Sequence, residues 1–526
     1  MLFNSHVFVL AFLPAVLVGF FIVGARGQRA AAVAWLVVAS LFFYGWWDPA
    51  YLALMGASIF FNYFTGLAIA RARAPGRRRA LLVAGIAVNL GLLGYFKYTH
   101  FVLGQANALL GTDFHAGAIV LPLAISFFTF QQIAYLADTH GGQTLEHDFL
   151  NYCLFVTFFP QLIAGPIVHH REMLPQFARP LIYRPSYANL SIGVTIFALG
   201  LFKKVAIADS LAAYASPVFA AAEAGTSLTF VEAWCGALAY ALQIYFDFSG
   251  YSDMAIGLAR LFNIKLPLNF NSPYKAASII DFWRRWHMTL SRFLRDYVYI
   301  PLGGGRRGPA RRHVNILATM LLGGLWHGAG WTFVLWGGMH GVFLVVNHAW
   351  RALARRLGWA GARPHAAGRW LARLLTFTAV VLAWIPFRAQ TMDGATAMWA
   401  AMAGMNGIGL DPALGDLLGP LVPALKSLGI TFDGMYAHEL GFKWRRAWKT
   451  IGLVLLLAHL APNVEAVMAR VRPTVDFARA RLDPGPRWMA WLRWRPNFAW
   501  SLATAALAGY AVLHITRPSE FLYFQF

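Results

Sequence analysis

Charge is what this sequence has least of. Asp, Glu, Lys and Arg make up 13% of its 526 residues, against ~25% in an ordinary soluble domain. Acid is scarcer still, with 22 Asp and Glu facing 44 Lys and Arg. A chain this poor in charge and 59% hydrophobic is too apolar to clothe a soluble globule, and it reads as an integral membrane protein. Cysteine is almost missing: Cys153 and Cys235 both lie in apolar runs. That argues against a disulfide framework or a cysteine metal site, and no metal is expected. There is no Gly-x-Ser-x-Gly elbow, zincin motif or phosphate-binding glycine loop, so hydrolase and ATP-driven readings lose support. No basic n-region precedes the first apolar stretch and no clear cleavage pattern precedes Arg26, so that stretch is expected to remain as a span.

What the chain has in abundance is apolar runs, at 7–25, 30–47, 51–70, 80–96, 149–164, 190–202, 314–325, 331–346, 371–385, 451–460 and 499–513. A bilayer core of about 30 Å takes about 20 apolar residues to cross, so the shorter runs read as tilted, broken or re-entrant helices buried in protein. The expected fold class is all-α: one polytopic membrane domain over residues 1–526, with about 11 to 13 transmembrane or re-entrant helices. The weakly hydrophobic stretch 404–449 reads as an extramembrane or interfacial insertion.

The net charge of +22 does not point to nucleic acid, because the basic residues sit in short loops. Arg26 and Arg29 occupy the first loop, and Arg71, Arg73, Arg77, Arg78 and Arg79 the third. By the positive-inside rule these loops are cytoplasmic and the N-terminus faces outward. The clusters at Arg306-Arg307, Arg311-Arg312, Arg351 to Arg356 and Arg445-Arg446 read as cytoplasmic or interfacial, where anionic lipid attracts them.

Two segments place polar groups in apolar surroundings. In Leu325-Trp326-His327-Gly328-Ala329-Gly330-Trp331 a histidine stands among aromatics and glycines at membrane depth. Desolvation favours its neutral form, whose lone pair can take a proton as a general base does; the alternative is a histidine bonded between packed helices. The second segment is 243–305. Asp247 and Asp253 interrupt an apolar helix there, either as site residues or as ion-pair partners for the arginines that follow. Ser278-Ile279-Ile280-Asp281 has capping-box spacing and should start a helix at Ile279. On one continuous helix Trp283, Trp286, His287, Leu290 and Leu294 share a face, and Arg284, Arg285, Arg292 and Arg295 the other. The basic face suits phospholipid or the phosphates of a nucleotide-bearing acyl donor. His340 is a third candidate. If 326–341 were one helix it would lie about 20 Å along the axis from His327, so it reads as structural unless the glycines break that helix.

The run Asp281-Phe282-Trp283-Arg284-Arg285-Trp286-His287-Met288-Thr289-Leu290-Ser291, then Tyr299-Ile300-Pro301-Leu302-Gly303-Gly304 and Trp326-His327-Gly328, resembles the membrane-bound O-acyltransferase family. The resemblance is strongest to its bacterial alginate O-acetyltransferase branch. Ser126-Phe127-Phe128-Thr129-Phe130-Gln131, Phe159-Pro160-Gln161-Leu162-Ile163-Ala164-Gly165-Pro166, Asn269-Phe270-Asn271-Ser272-Pro273-Tyr274 and the terminal Phe521-Leu522-Tyr523-Phe524-Gln525-Phe526 fit the same pattern. The match covers most of the chain and is least characteristic at 404–449 and 481–496.

The resemblance implies helices around a central tunnel, with a catalytic core region at 120–345. In the tunnel an acyl group from a cytoplasmic thioester meets a hydroxyl acceptor from the far side. The family's invariant histidine maps to His327 and its second polar position to His287, as the catalytic pair. Trp283, Arg284, Arg285, Trp326, Trp331, Asp247 and Asn271 are the expected substrate-binding residues, with Trp283, Trp326 and Trp331 lining a dry tunnel. The implied donor is acetyl-CoA or another acyl thioester, with no tightly bound cofactor. The implied setting is a multi-pass protein of the bacterial inner membrane, with periplasmic acetyltransferase partners and a polysaccharide acceptor. Cellulose, peptidoglycan and D-alanylated teichoic acid remain alternative acceptors. A non-enzymatic polysaccharide export component is the rival class.

Overall fold

A backbone leaving water must satisfy its own N–H and C=O groups, and a helix does this within one segment. The computed structural model describes residues 1–143, 148–359, 365–476 and 486–515, and nearly all regular structure there is helical. The strand pairing among the described residues is two residues long, Ile408–Gly409 parallel to Ile430–Thr431. The expected all-α class holds.

The first half supplies α1 (Phe8–Ala25), α2 (Arg29–Gly45), α3 (Ala50–Arg71), α4 (Pro75–Leu110), α5 (Ile125–His140), α6 (Tyr187–Glu223) and α7 (Phe230–Leu261). The second half supplies α8 (Ile279–Trp283), α9 (Met288–Leu294), α10 (Gly308–His327), α11 (Trp331–Arg356), α12 (Ala366–Arg388), α13 (Trp444–Leu460) and α14 (Phe498–His514). Among the described residues α1, α3, α4, α6 and α12 are long and apolar enough to cross a membrane, and α2 and α14 are shorter apolar helices. The chain is a multi-pass membrane protein.

Two principal helices, α5 and α7, do not stand out as apolar runs. Both carry polar residues that only partners inside the protein can satisfy. On α5, Gln132 donates to Ser58 Oγ at 2.9 Å and accepts from Tyr152 at 3.1 Å. The α7 helix, 32 residues long, is buried along almost its whole length. Asp247 and Asp253 on it are neutralised by lysines that precede them, not by arginines that follow. Lys204 Nζ lies 2.6 Å from Asp247 and 2.7 Å from Asp209, and Lys203 Nζ lies 2.7 Å from Asp253. Both lysines project from a π-helical turn of α6, Lys203–Ala208.

The 149–164 run is not one helix either. It breaks after Phe149–Thr157 and resumes as Phe159–Leu162 with Pro160 in its first turn, where the missing N–H costs nothing. In the 404–449 stretch, α13 already begins at Trp444. That stretch is tied to α7 by Glu232, fully buried, whose carboxylate accepts from the backbone of Ala437 and His438 at 2.9 and 2.8 Å. The terminal motif 521–526 and residues 481–485 lie outside the described residues.

Candidate active site

His327 is the last residue of α10. Gly328 and Gly330 are both extended, with φ of −159° and −169°, so the chain turns back and α11 runs against α10 as a hairpin. Two glycines let the helices touch: a Cβ on Gly324 would stand 2.3 Å from the Phe333 carbonyl oxygen, and one on Gly337 2.3 Å from that of Met320. The carbonyls at the end of α10 need donors from elsewhere, and α4 supplies them. Lys97 Nζ donates to the Trp326 and His327 oxygens at 2.6 and 3.0 Å, and the Tyr98 hydroxyl to Leu325 at 2.6 Å. The His327 imidazole is held by rings, edge to face with Trp326, Trp336 and Phe387 at centroid distances of 4.9, 5.0 and 5.1 Å. It makes no side-chain hydrogen bond among the described residues.

His287 reaches the site differently from the sequence reading. Ser278 caps α8 as expected, accepting from the Asp281 N–H at 3.2 Å, but the helix does not continue through His287. It stops at Trp283, His287 adopts a left-handed φ of 40°, and α9 starts at Met288. The extended segment 269–271 takes the backbone bonds instead: Met288 N–H donates to Asn269 and Asn271 N–H to Arg285, both at 2.9 Å. The single amphipathic helix with two clean faces is therefore corrected to two short helices joined at His287. The Asp281 carboxylate pairs with Arg285 at 3.0 Å.

The break places a fully buried His287 against Asn269. Asn269 Nδ2 donates to Ser252 Oγ at 3.0 Å. Its Oδ1 accepts from the Thr289 hydroxyl at 2.9 Å and lies 3.0 Å from His287 Nδ1. An acceptor at that position puts the proton of a neutral imidazole on Nδ1 and the lone pair on Nε2. Trp326 stands between the two histidines, its ring 4.9 Å from His327 and 6.4 Å from His287.

The hairpin also brings back His340. The glycine break that would overturn its structural reading is present: Trp336 lies between the two imidazoles, 5.0 Å from His327 and 4.9 Å from His340. Trp283 donates to His340 Nδ1 at 3.3 Å.

Other expected site residues divide. Trp283 and Trp326 are at the site. Arg284 is exposed on the rim of a cavity of about 600 Å³ whose walls include Trp283, Met288, Thr289, Arg292, Arg295 and His348. Arg285 spends its donors on Asp281 and on the Asn271 carbonyl at 3.3 Å. Asn271 braces that break and accepts from Asn463 at 3.3 Å. Asp247 is the buried partner of Lys204, so it serves α6–α7 packing. Trp331 does not line the site: it is 54% exposed and donates to Gln105, because it opens α11 after the turn. Lys97 and Asn269 were missed. Asn269 stood inside a recognised motif, whereas nothing near Lys97 in sequence marks it.

A family model described as membrane-bound O-acyltransferase matches residues 144–385, a range that includes His287, His327 and His340. The chain is 46% identical over 437 residues to a peptidoglycan O-acetyltransferase of Helicobacter pylori, covering 78% of this chain and 81% of that one. It is 37% identical over 547 residues to a probable alginate O-acetylase of Pseudomonas aeruginosa, spanning 100% of both. A probable alginate O-acetylase of Azotobacter vinelandii is 42% identical over 409 residues, covering 76% of this chain and 78% of the relative. With relatives aligned over such lengths, the chain belongs to the membrane-bound O-acyltransferase family and is an O-acyltransferase.

Proposed function

We propose that the protein moves an acetyl group from a cytoplasmic thioester, acetyl-CoA, toward hydroxyls of an exported polysaccharide, in the bacterial inner membrane and with periplasmic partner proteins completing the transfer. The observation that carries this reading is the cavity edged by Arg284 and Arg295. Trp283 and Thr289 line it as well. Trp283 bonds His340, and Thr289 bonds the asparagine that orients His287. Arg295 is held by Asp296 at 2.7 Å, which leaves the exposed Arg284 to suit donor phosphates, and the Trp283 and Thr289 side of the cavity adjoins the histidines.

Acyl transfer needs a base for the acceptor proton, a positioned thioester and exclusion of water. His327, bounded by rings and making no side-chain hydrogen bond among the described residues, takes the proton of the attacking hydroxyl. The hydroxyl oxygen bonds to the acetyl carbon and the carbonyl electrons move to oxygen. Those electrons then re-form the C=O bond as the C–S bond breaks, and the leaving thiolate takes from His327 the proton that came from the acceptor hydroxyl. His287, held by Asn269 and packed against the Trp326 ring, positions that ring beside His327.

The Helicobacter pylori relative is a peptidoglycan O-acetyltransferase, which supports a second acceptor, peptidoglycan. One experiment separates them: ester content of secreted polysaccharide and of cell wall in a deletion strain carrying wild type or His327→Ala at matched membrane levels. Wild type should restore esters to one fraction, and His327→Ala to neither, at unchanged polymer yield. Full acetylation by His327→Ala would remove the catalytic assignment, and polymer yield following the protein would point to export.

A further inference from the structure

Resting on the acyl-transfer reading, we infer that Trp336 Nε1 and His340 Nε2 are the donors that stabilise the oxyanion of the transferred acyl group. Both side chains project from α11, four residues apart and so on one face, one turn from each other. Trp336 is 1% exposed and His340 0%. Neither Trp336 Nε1 nor His340 Nε2 has a hydrogen-bond partner among the described residues. His340 Nε2 is a donor and not an acceptor, because Trp283 Nε1 donates to Nδ1 at 3.3 Å and leaves the proton of a neutral ring on the other nitrogen.

A buried donor without an acceptor is costly, more so away from water, and two side by side call for an explanation. Their position supplies one. The Trp336 ring lies edge to face with the proposed base His327 at 5.0 Å and against His340 at 4.9 Å, so one donor ring touches the imidazole that receives the acceptor's proton and the other is the next ring along. When the hydroxyl adds to the thioester, negative charge develops on the carbonyl oxygen. Fixed N–H groups in a dry site are the means of stabilising it. In the Trp336-Gly337-Gly338-Met339-His340-Gly341 motif, Gly337 and Gly341 then allow the α10–α11 contact and the two rings carry the donors.

The test measures acetyl transfer from radiolabelled acetyl-CoA into polymer by inverted membrane vesicles holding the full-length protein and its partners. Tryptophan 336 is replaced by phenylalanine and, separately, by benzothienylalanine, which keeps the indole's shape but lacks the N–H. His340→Gln keeps an N–H near Nε2; His340→Phe does not. Loss of one oxyanion donor is expected to lower kcat about a hundredfold, with the KM for acetyl-CoA changed less than about twofold; His340→Gln should retain more activity than His340→Phe. A benzothienylalanine variant within about threefold of wild type, or a loss confined to KM, overturns the proposal. His327→Ala assayed alongside keeps the two readings apart. If it is active while the donor variants are not, the base assignment fails and the donor assignment stands.

Discussion

Lys97, in a π-helical turn of α4, donates through Nζ to the backbone oxygens of Trp326 and His327 at 2.6 and 3.0 Å, across some 230 residues of sequence. The last carbonyls of α10 would otherwise point into an apolar site unpaired, and a helix C-terminus favours a cationic donor. The position of the His327 backbone thus depends on a residue distant in sequence that bonds its carbonyl. Lys97→Met is expected to lower kcat about tenfold with the donor KM little changed, and to reduce stability by about 1–2 kcal/mol. Lys97→Arg should recover part of both. Thermal unfolding in detergent and initial rates at matched protein check this, and a Met variant with wild-type kcat would leave Lys97 only structural.

Asn269 does for His287 what no neighbour in sequence could. With Oδ1 accepting from Thr289 and facing His287 Nδ1, it selects one tautomer. Asn269→Leu is expected to cut transfer about tenfold, the scale of losing one buried hydrogen bond that fixes the His287 ring. Asn269→Asp, which keeps an acceptor there, should lose less. Equal losses in the two variants would mean that packing, not tautomer choice, is what matters.

The α10–α11 hairpin makes a sharper structural prediction. Gly337→Ala sets a Cβ 2.3 Å from a backbone oxygen, whereas a Cβ at Gly338 meets only a Leu321 methyl at 3.6 Å. The first should destabilise the protein and abolish its accumulation in membranes; the second should be tolerated within about 1 kcal/mol. Fluorescence-detected size exclusion of tagged variants reads both outcomes, and normal accumulation of Gly337→Ala would contradict the packing described.

Asp247 tests the division between packing and chemistry. Asp247→Asn removes one of the two carboxylates on the buried Lys204 and leaves Asp209 at 2.7 Å, so it should cost less than the ~3–5 kcal/mol of a buried pair broken outright. It should still lower the folded yield while activity per folded molecule persists, and combining it with Lys204→Gln should be less damaging than the sum of the two changes. A fully folded but inactive Asp247→Asn protein would return this residue to the site.

The membrane class was legible because charge is scarce throughout, and His287 and His327 stood out as candidates because they sit in aromatic segments. Residues paired by the fold did not. The 3.6-residue spacing from Trp283 to Leu294 continues through a point where Asn269 and Asn271 take the backbone bonds, so periodicity could not reveal the break at His287. The distance given to His340 assumed one straight helix, and Gly328 and Gly330 remove that assumption. Lys203 and Lys204 precede the acids they neutralise by some 43 to 50 positions, a separation that only the α6–α7 packing closes.

Arg284 and Arg285, adjacent in sequence and both expected to hold substrate, come apart in the structure and should behave differently. Arg284 is exposed at the cavity mouth, while Arg285 is bonded to Asp281 and the Asn271 carbonyl. If donor phosphates meet the cavity mouth, Arg284→Gln removes a charge-assisted contact and raises the KM for acetyl-CoA about fivefold to tenfold, with kcat nearly unchanged. The effect should shrink as salt screens the exposed charge. Arg285→Gln instead loosens the brace that holds the His287 break, so it should lower stability and kcat together and leave the salt dependence of KM as in wild type. Initial rates across acetyl-CoA concentrations at low and high ionic strength distinguish the two. An Arg284 variant with unchanged KM at both would move the donor entrance away from this cavity.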